Sequence, residues 1–82
     1  MKNAAWEYCL VSQVPSGPLI VNVVYYTPDG ANTVTHRAET YEEGIKKLWP
    51  SVIANLGREG WELVTVETGA LYFKRAIKAS SE

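Results

Sequence analysis

The sequence has few of the residues that build catalytic or metal sites. Among its 82 residues it holds one cysteine, Cys9, and one histidine, His36. A single cysteine excludes a disulfide within the chain, and one cysteine with one histidine argues against a zinc site. A nucleophile–base pair would need His36 beside a serine or cysteine, and Cys9 falls in an apolar strand pattern instead. We therefore predict no catalytic residues, no metal, no cofactor and no enzymatic activity.

The chain also lacks a strong excess of either charge. Eight Lys and Arg stand against nine Asp and Glu, which gives a net charge of −1. A protein that binds duplex DNA by neutralising many phosphates needs a strongly basic surface, so duplex DNA is not an expected partner. The charges are unevenly placed, because residues 39–67 carry six Glu against three basic residues, whereas residues 68–79 carry three basic residues and no acid.

Long apolar runs are missing as well. Residues 8–28 contain no charged side chain, but turn residues interrupt them, and the longest apolar runs there are Leu19–Val21 and Val23–Tyr26. A membrane-spanning helix needs about 20 apolar residues in a row. Glu7 interrupts any hydrophobic region of a signal peptide near the start. We expect a cytoplasmic protein without a membrane partner, and the lone Cys9 fits a reducing compartment.

The composition that remains is that of a folded domain rich in strands. Apolar residues make up 46% and charged residues 21%, as in globular proteins. The length predicts a single domain, residues 1–82, in which residues 78–82 form a frayed tail. Aromatic and β-branched stretches separated by proline or glycine turns predict five strands, over residues 6–14, 19–27, 32–38, 61–67 and 71–77.

A helix is predicted between the third and fourth strands. Thr40 and Glu43 form a capping box, and apolar side chains recur at helical spacing over residues 41–56. Gly57 is expected just beyond the last helical residue. Pro50 removes one backbone hydrogen bond, but the apolar spacing continues through it. We therefore expect one kinked helix, with a bend or break within one turn before Pro50.

The directions of these elements predict a topology. Hairpins alternate the strand direction and the helix returns the chain, so a fully antiparallel sheet follows in the order 3-2-1-5-4. The prediction is an α+β fold, βββ-α-ββ, with one kinked helix on one face of a five-stranded antiparallel sheet. Five strands span roughly 19 Å between their outer axes, and one helix cannot cover that width completely.

The strands are apolar on both faces, which is inconsistent with a monomer. Half-solvated strands normally alternate apolar and polar residues, and soluble monomers rarely expose a contiguous apolar patch. A second copy of the chain is the simplest cover for the sheet face that the helix leaves open. The expected interface of this homo-oligomer, a dimer or larger, consists of Cys9, Val11, Ile20, Val24, Tyr26, Val64, Val66 and Tyr72.

Three segments together resemble a known family. Trp6-Glu7-Tyr8 opens the first strand, residues 56–64 (Leu-Gly-Arg-Glu-Gly-Trp-Glu-Leu-Val) join the helix to a strand, and Tyr72-Phe73-Lys74-Arg75 closes the last strand. In this order they resemble a widespread family of small bacterial and phage domains, catalogued as domain of unknown function 4177. The resemblance covers residues 6–14 and about 52–75. It implies no established activity and therefore no catalytic residue.

The basic last strand leaves a second function open. Tyr72, Lys74 and Arg75, with His36 and Arg37 from another subunit, could receive an anionic ligand, because aromatic stacking with two or three cations suits a nucleotide. Neighbours on a strand face opposite sides, so Lys74 is expected beside Tyr72 on the open face and Arg75 on the helix side. Two functions therefore stand: a non-catalytic module for protein–protein assembly, and a phage-type or bacterial oligomer that sequesters a nucleotide-like small molecule.

Overall fold

The computed structural model describes residues 5–15 and 18–77. The predicted frayed tail, residues 78–82, lies outside the described residues. The strands are β1 (Trp6–Pro15), β2 (Leu19–Thr27), β3 (Gly30–Arg37), β4 (Glu62–Glu67) and β5 (Ala70–Ala76). They form one antiparallel sheet in the order β3-β2-β1-β5-β4, with the helix between β3 and β4 in sequence. The predicted α+β class, βββ-α-ββ order and sheet order are confirmed.

Two-residue turns close the β2–β3 and β4–β5 hairpins. Residues 28–29 form the first turn and residues 68–69 the second. Gly30 has a φ of 120° and Gly69 a φ of 74°, a region that side chains disfavour and glycine enters freely. The third strand begins earlier than predicted because Gly30 already pairs with Thr27.

The helix covers residues 41–58 and widens just before its proline. It consists of an α-helical turn, a π-helical turn and a second α-helical stretch: Tyr41–Glu43, Gly44–Leu48 and Trp49–Arg58. The Trp49 N–H donates to the Gly44 carbonyl, five residues earlier. Pro50 has no N–H and its ring crowds the preceding turn, which the wider π turn accommodates. The predicted continuity is confirmed: the helix does not break before Pro50, and a π turn lies there.

The first half of the helix lies tightly against the start of β2. Thr40 caps the helix, since its Oγ1 accepts a hydrogen bond of 3.1 Å from the Glu43 N–H, as the capping box predicts. Gly44 is buried where the two elements meet. A Cβ atom at Gly44 would lie 2.5 Å from Cβ and 2.6 Å from Cδ2 of Leu19. The close approach therefore depends on glycine at this position.

The end of the helix differs from the prediction. The helix ends at Arg58, and Gly60 has the left-handed conformation, with a φ of 93°. The Trp61 N–H donates to the Leu56 carbonyl at 3.0 Å, and the Gly60 N–H donates to the Gly57 carbonyl at 3.1 Å. These two bonds define a Schellman motif. The prediction that Gly57 lies just beyond the helix is wrong, because Gly60 is the residue that reverses the chain.

The sheet has a helix-covered face and an uncovered face. On the covered face a core forms from the residues that are at most 5% exposed: Cys9, Val11, Leu19, Val21, Val23, Val52, Leu56, Trp61 and Phe73. In the part of the chain that the structure describes, no polar or charged side chain is buried. The uncovered face comprises alternate residues of β1 and the residues in register with them: Trp6, Tyr8, Leu10, Ser12, Val14, Ile20, Asn22, Val24, Tyr26, Ala31, Thr33, Thr35, Arg37, Glu62, Val64, Thr65, Glu67, Ala70, Tyr72, Lys74 and Ala76.

The two faces of β1 are the reverse of those predicted. Cys9 and Val11, expected at the oligomer interface, are 1% and 0% exposed and lie under the helix. Their partners on β5 are Phe73 and Leu71, which belong to or pack against the core. Both sides of β1 are apolar, so strand composition does not distinguish them. The cross-strand register with β5 identifies the side that faces the helix.

A β-bulge in β4 makes the predicted position of a third interface residue, Val66, wrong. The register shifts between Leu63 and Thr65, so an extra residue, Val64, interrupts the alternation of sides. Val66 pairs with Leu71 and therefore lies on the helix-covered side. It is still 60% exposed because β4 is an edge strand that the helix does not reach.

Candidate interaction surface

Aromatic and aliphatic side chains fill the centre of the uncovered face. They include Trp6, Tyr8, Tyr26 and Val64, which are 40, 51, 47 and 54% exposed. Strand pairing places the apolar side chains of β2, β1 and β5 next to one another. Tyr8 pairs with Tyr26, and Leu10 pairs with both Val24 and Tyr72. No described element packs on this centre. A contiguous apolar patch on a sheet face marks an interaction surface.

A shallow apolar groove of about 350 Å³ opens on the same face. Its side walls come from four strands and include Tyr8, Leu10, Tyr26, Val64, Thr65 and Tyr72. The bulge in β4 places Val64 and Thr65 together at the groove. The Tyr72 hydroxyl donates to Glu67 Oε1 at 3.2 Å, and the Glu67 carboxylate raises the pKa of Tyr72.

Polar and charged residues surround the apolar centre. Thr35 Oγ1 donates to Asn22 Oδ1 at 2.9 Å, which ties β3 to β2 on this face. Lys74 Nζ lies 4.3 Å from the centroid of the Trp6 ring, within the range of a cation–π interaction. An apolar centre within a polar rim is the usual anatomy of a protein–protein interface.

Five of the eight predicted interface residues lie on the uncovered face: Ile20, Val24, Tyr26, Val64 and Tyr72. The residues of β1 that occupy the centre, Tyr8 and Leu10, were assigned to the opposite side. One signal in the sequence could have located them. An acid such as Glu7 can pair across strands with a base such as Arg75, and Arg75 alternates with its neighbours so that it shares a side with Phe73. That pairing puts Glu7 on the covered side and its neighbour Tyr8 on the other.

Arg75 lies on the helix-covered face, and each of its guanidinium nitrogens has a partner. Its Nη2 and Nε lie 2.7 Å and 2.8 Å from Glu7 Oε2. Its Nη1 donates to the Glu59 carbonyl at 2.9 Å, and its guanidinium carbon lies 4.3 Å from the centroid of the Trp61 ring. This arrangement joins β1, β5 and the loop after the helix, which is a structural role for Arg75.

The other predicted anion-binding residues are dispersed. His36 pairs with Val21 and lies on the helix side, at a small cavity of about 170 Å³. Arg37 and Lys74 both lie on the uncovered face, but on β3 and β5, with β2 and β1 between them. Within one chain His36, Arg37, Lys74 and Arg75 do not converge on a common site.

The chemistry available to Cys9 is limited by its burial. Burial raises the pKa of the Cys9 thiol to about 12, and the nearby Arg75 charge offsets only part of that increase. The thiolate is the reactive form of cysteine, so the folded protein keeps this thiol inert.

The described residues also bear on metal binding and on membranes. Over residues 5–15 and 18–77, no group of three or more His, Cys, Asp or Glu side chains could hold a metal ion. Over the same residues, no helix combines the length and the apolar character needed to cross a membrane.

Comparison with models of protein families, with curated proteins and with solved structures finds no match. The resemblance to the family catalogued as domain of unknown function 4177 therefore stays a prediction. Glu7, Trp61 and Arg75, one from each of the three segments that carry it, meet in the structure. These segments thus have a shared structural explanation, and the candidate surface rests on the geometry of the chain itself.

Proposed function

We propose that this protein is a non-catalytic module that acts by self-association, with the uncovered sheet face as its interface. The observation that carries the proposal is the exposed apolar centre, where Tyr8, Tyr26 and Val64 are each about half exposed. Fully burying one large apolar side chain contributes about 1.5–3 kcal/mol. Several such side chains are needed to offset the cost of association, about 4–15 kcal/mol, and the face provides them together.

The dimensions of the face support a second copy as the occupant. Five strands of six to ten residues, eight on average, give a surface of roughly 19 by 25 Å. Once the relief of the side chains is included, this approaches the area of about 800 Å² that each partner of a standard interface buries. Two such faces pack as aligned sheets about 10 Å apart. Tyrosine at the centre and charge at the rim match the composition of such interfaces.

Sequestration of a nucleotide-like anion is the alternative, and it needs basic residues that converge. Arg75 is held by Glu7, and His36 lies on the other side of the sheet from Lys74. Only Lys74 lies on the same face as the tyrosines of the groove and near them. The assembly module is therefore the function that we propose.

The experiment is a comparison of two variants that add the same charge at different places. Val24 lies at the centre of the uncovered face, and Ala54 lies exposed on the helix. We expect light scattering at micromolar concentration to give wild type and Ala54→Glu a mass of at least two subunits, whereas folded Val24→Glu has the mass of one. A wild-type mass of 9.1 kDa, with no binding of hydrophobic dyes, would contradict the proposal.

A further inference from the structure

We infer that two copies pack face to face with their β1 strands against each other, nearly parallel to the twofold axis, and that Arg37 of each copy pairs with Glu67 of the other. The inference rests on the self-association proposed above and specifies its geometry. It follows from the position of β1 in the sheet and from the charges at the two sheet edges.

β1 lies at the middle of the sheet. It is the third of five strands in the order β3-β2-β1-β5-β4, and its residues Tyr8 and Leu10 lie at the middle of the apolar centre. A twofold dimer uses the same patch on both subunits, so the middle of the patch lies on the axis. In a face-to-face dimer, β1 therefore contacts β1 of the partner.

Two orientations of the axis satisfy that condition. If the axis runs along β1, each β2 lies over the partner's β5, and each β3 lies over the partner's β4. If the axis runs across the strands, every strand instead lies over its own copy. Aligned sheets cross at about 30°. This angle changes the overlap of the strands slightly, but the two orientations of the axis remain distinct.

The edge charges distinguish the two orientations. On the uncovered face β4 carries Glu62 and Glu67, and β3 carries Arg37 as its one charged residue, beside Ala31 and two threonines. An axis across the strands would place the acids of β4 over each other, and like charges facing each other at an interface are repulsive. An axis along β1 places the acidic edge over the edge that carries Arg37.

The same orientation fits the side chains between the edges. Arg37 pairs with Ile20, which is level with Val14 of β1, and Glu67 pairs with Ala70, which is level with Ser12 of β1. Arg37 and Glu67 are therefore offset by two residues along the strands. That offset is about 7 Å, which an extended arginine side chain spans. Each β2 also brings Val24 and Tyr26 over the partner's β5, where they cover the groove.

The first experiment is a charge exchange. Arg37→Glu and Glu67→Arg should each raise the dissociation constant of the dimer about tenfold at low salt, because each places like charges together at both symmetry-related positions. The double variant should return to within about threefold of wild type. Arg58→Glu is the matched control, because it makes the same charge change at the exposed end of the helix, and it should leave the constant unchanged.

The outcomes separate the geometry from the proposed function. Rescue by the double variant supports the inference. Two results would overturn the geometry while self-association stands. In one, neither single substitution weakens the dimer more than the control does. In the other, the double substitution weakens the dimer as much as the two single substitutions together. A wild type that is monomeric at every concentration overturns the proposed function, and this geometry with it.

Cross-linking tests the axis independently. Ser12 lies on β1 and Asn22 pairs with it on β2, both on the uncovered face. With the axis along β1, a short bismaleimide should link two copies of Ser12→Cys and leave Asn22→Cys unlinked, because Asn22 faces the partner's β5. Wild type controls for Cys9, which is 1% exposed. Equal linking of the two variants, which an axis across the strands predicts, or linking of Asn22→Cys alone overturns the inferred axis.

Discussion

At the scale of single residues, the Arg75 side chain links three distant parts of the chain. Its ion pair with Glu7 is partly buried, with the two side chains 35% and 13% exposed, and its guanidinium stacks on Trp61. Removing one partner of such a pair costs more than in a surface pair and less than in a fully buried one.

We expect Arg75→Ala to lower the free energy of unfolding by about 2 kcal/mol, and Arg75→Lys by nearly as much, because lysine cannot reproduce the forked hydrogen bonds or the stacking. Urea unfolding measures both. The control is Lys46→Ala, which breaks the exposed pair of Lys46 with Glu42 at 3.0 Å and should cost less than about 0.5 kcal/mol. Equal losses in Arg75→Ala and Lys46→Ala would show that the Arg75 interactions add nothing.

Cys9 gives the protein a defined alkaline response. The pKa of its thiol is raised from 9.0 to about 12 by burial, so between these pH values the unfolded chain has lost a proton that the folded chain keeps. The free energy of unfolding must then fall as the pH rises through this range, by up to about 1.4 kcal/mol per pH unit. Burial raises the pKa of Tyr25 too, which acts in the same direction.

The measurement is urea unfolding of wild type and Cys9→Ala at steps through the alkaline range. Cys9→Ala starts less stable because it leaves a cavity, but its stability should fall less steeply above about pH 9. Parallel slopes in the two proteins would mean that the thiol ionises equally in both states.

At the scale of secondary-structure elements, the helix depends on close packing against β2 at Gly44. Gly44→Ala would bring a Cβ into Leu19, so we expect a loss of about 1–3 kcal/mol in spite of the better helix propensity of alanine. Gly57→Ala is the matched control, because a Cβ at Gly57 meets nothing within 4 Å. It should stabilise the protein by about 0.5–1 kcal/mol. Thermal unfolding compares them, and stabilisation by both changes would contradict the packing at Gly44.

Much of this element order follows from local sequence signals. The turn residues, the alternating strand directions and the capping box at Thr40 specify the five strands, their order and the start of the helix. Pro50 conflicts with the apolar spacing around it, and the sequence therefore predicts an irregularity there, which the π turn provides.

The details that the sequence does not determine depend on tertiary geometry. Gly57 and Gly60 both suit the end of a helix, and the choice between them depends on how Trp61 packs on Leu56. The side of β1 that meets the helix is set by its register with β2 and β5, while its composition is apolar on both sides. The bulge at Val64 has no local signal and changes which residues of β4 face the groove.

At the scale of the whole molecule, the apolar composition of both sheet faces predicted that something must cover the sheet. The predicted interface residues on β2 and β5 lie on the face that the helix leaves uncovered. The prediction assigned the wrong residues on β1, because both sides of that strand are apolar and only its register with β2 and β5 distinguishes them. Anion binding was expected from the residue types alone, and the structure places those residues on both sides of the sheet.

Self-association of the folded chain should make its thermal stability depend on concentration. Because the native state associates and the unfolded state does not, a tenfold increase in concentration should raise the unfolding midpoint by about 3–5 °C. Val24→Glu should show no such dependence. Calorimetry over a dilution series measures it, and an invariant wild-type midpoint would count against a dimer of the folded state.

The most direct test of the central claim is the mass of the wild-type protein in solution, measured by sedimentation equilibrium across micromolar concentrations. If the uncovered face is covered by a second copy, the mass should approach twice 9.1 kDa and fall toward one subunit on dilution. A mass of one subunit at all concentrations would contradict the account.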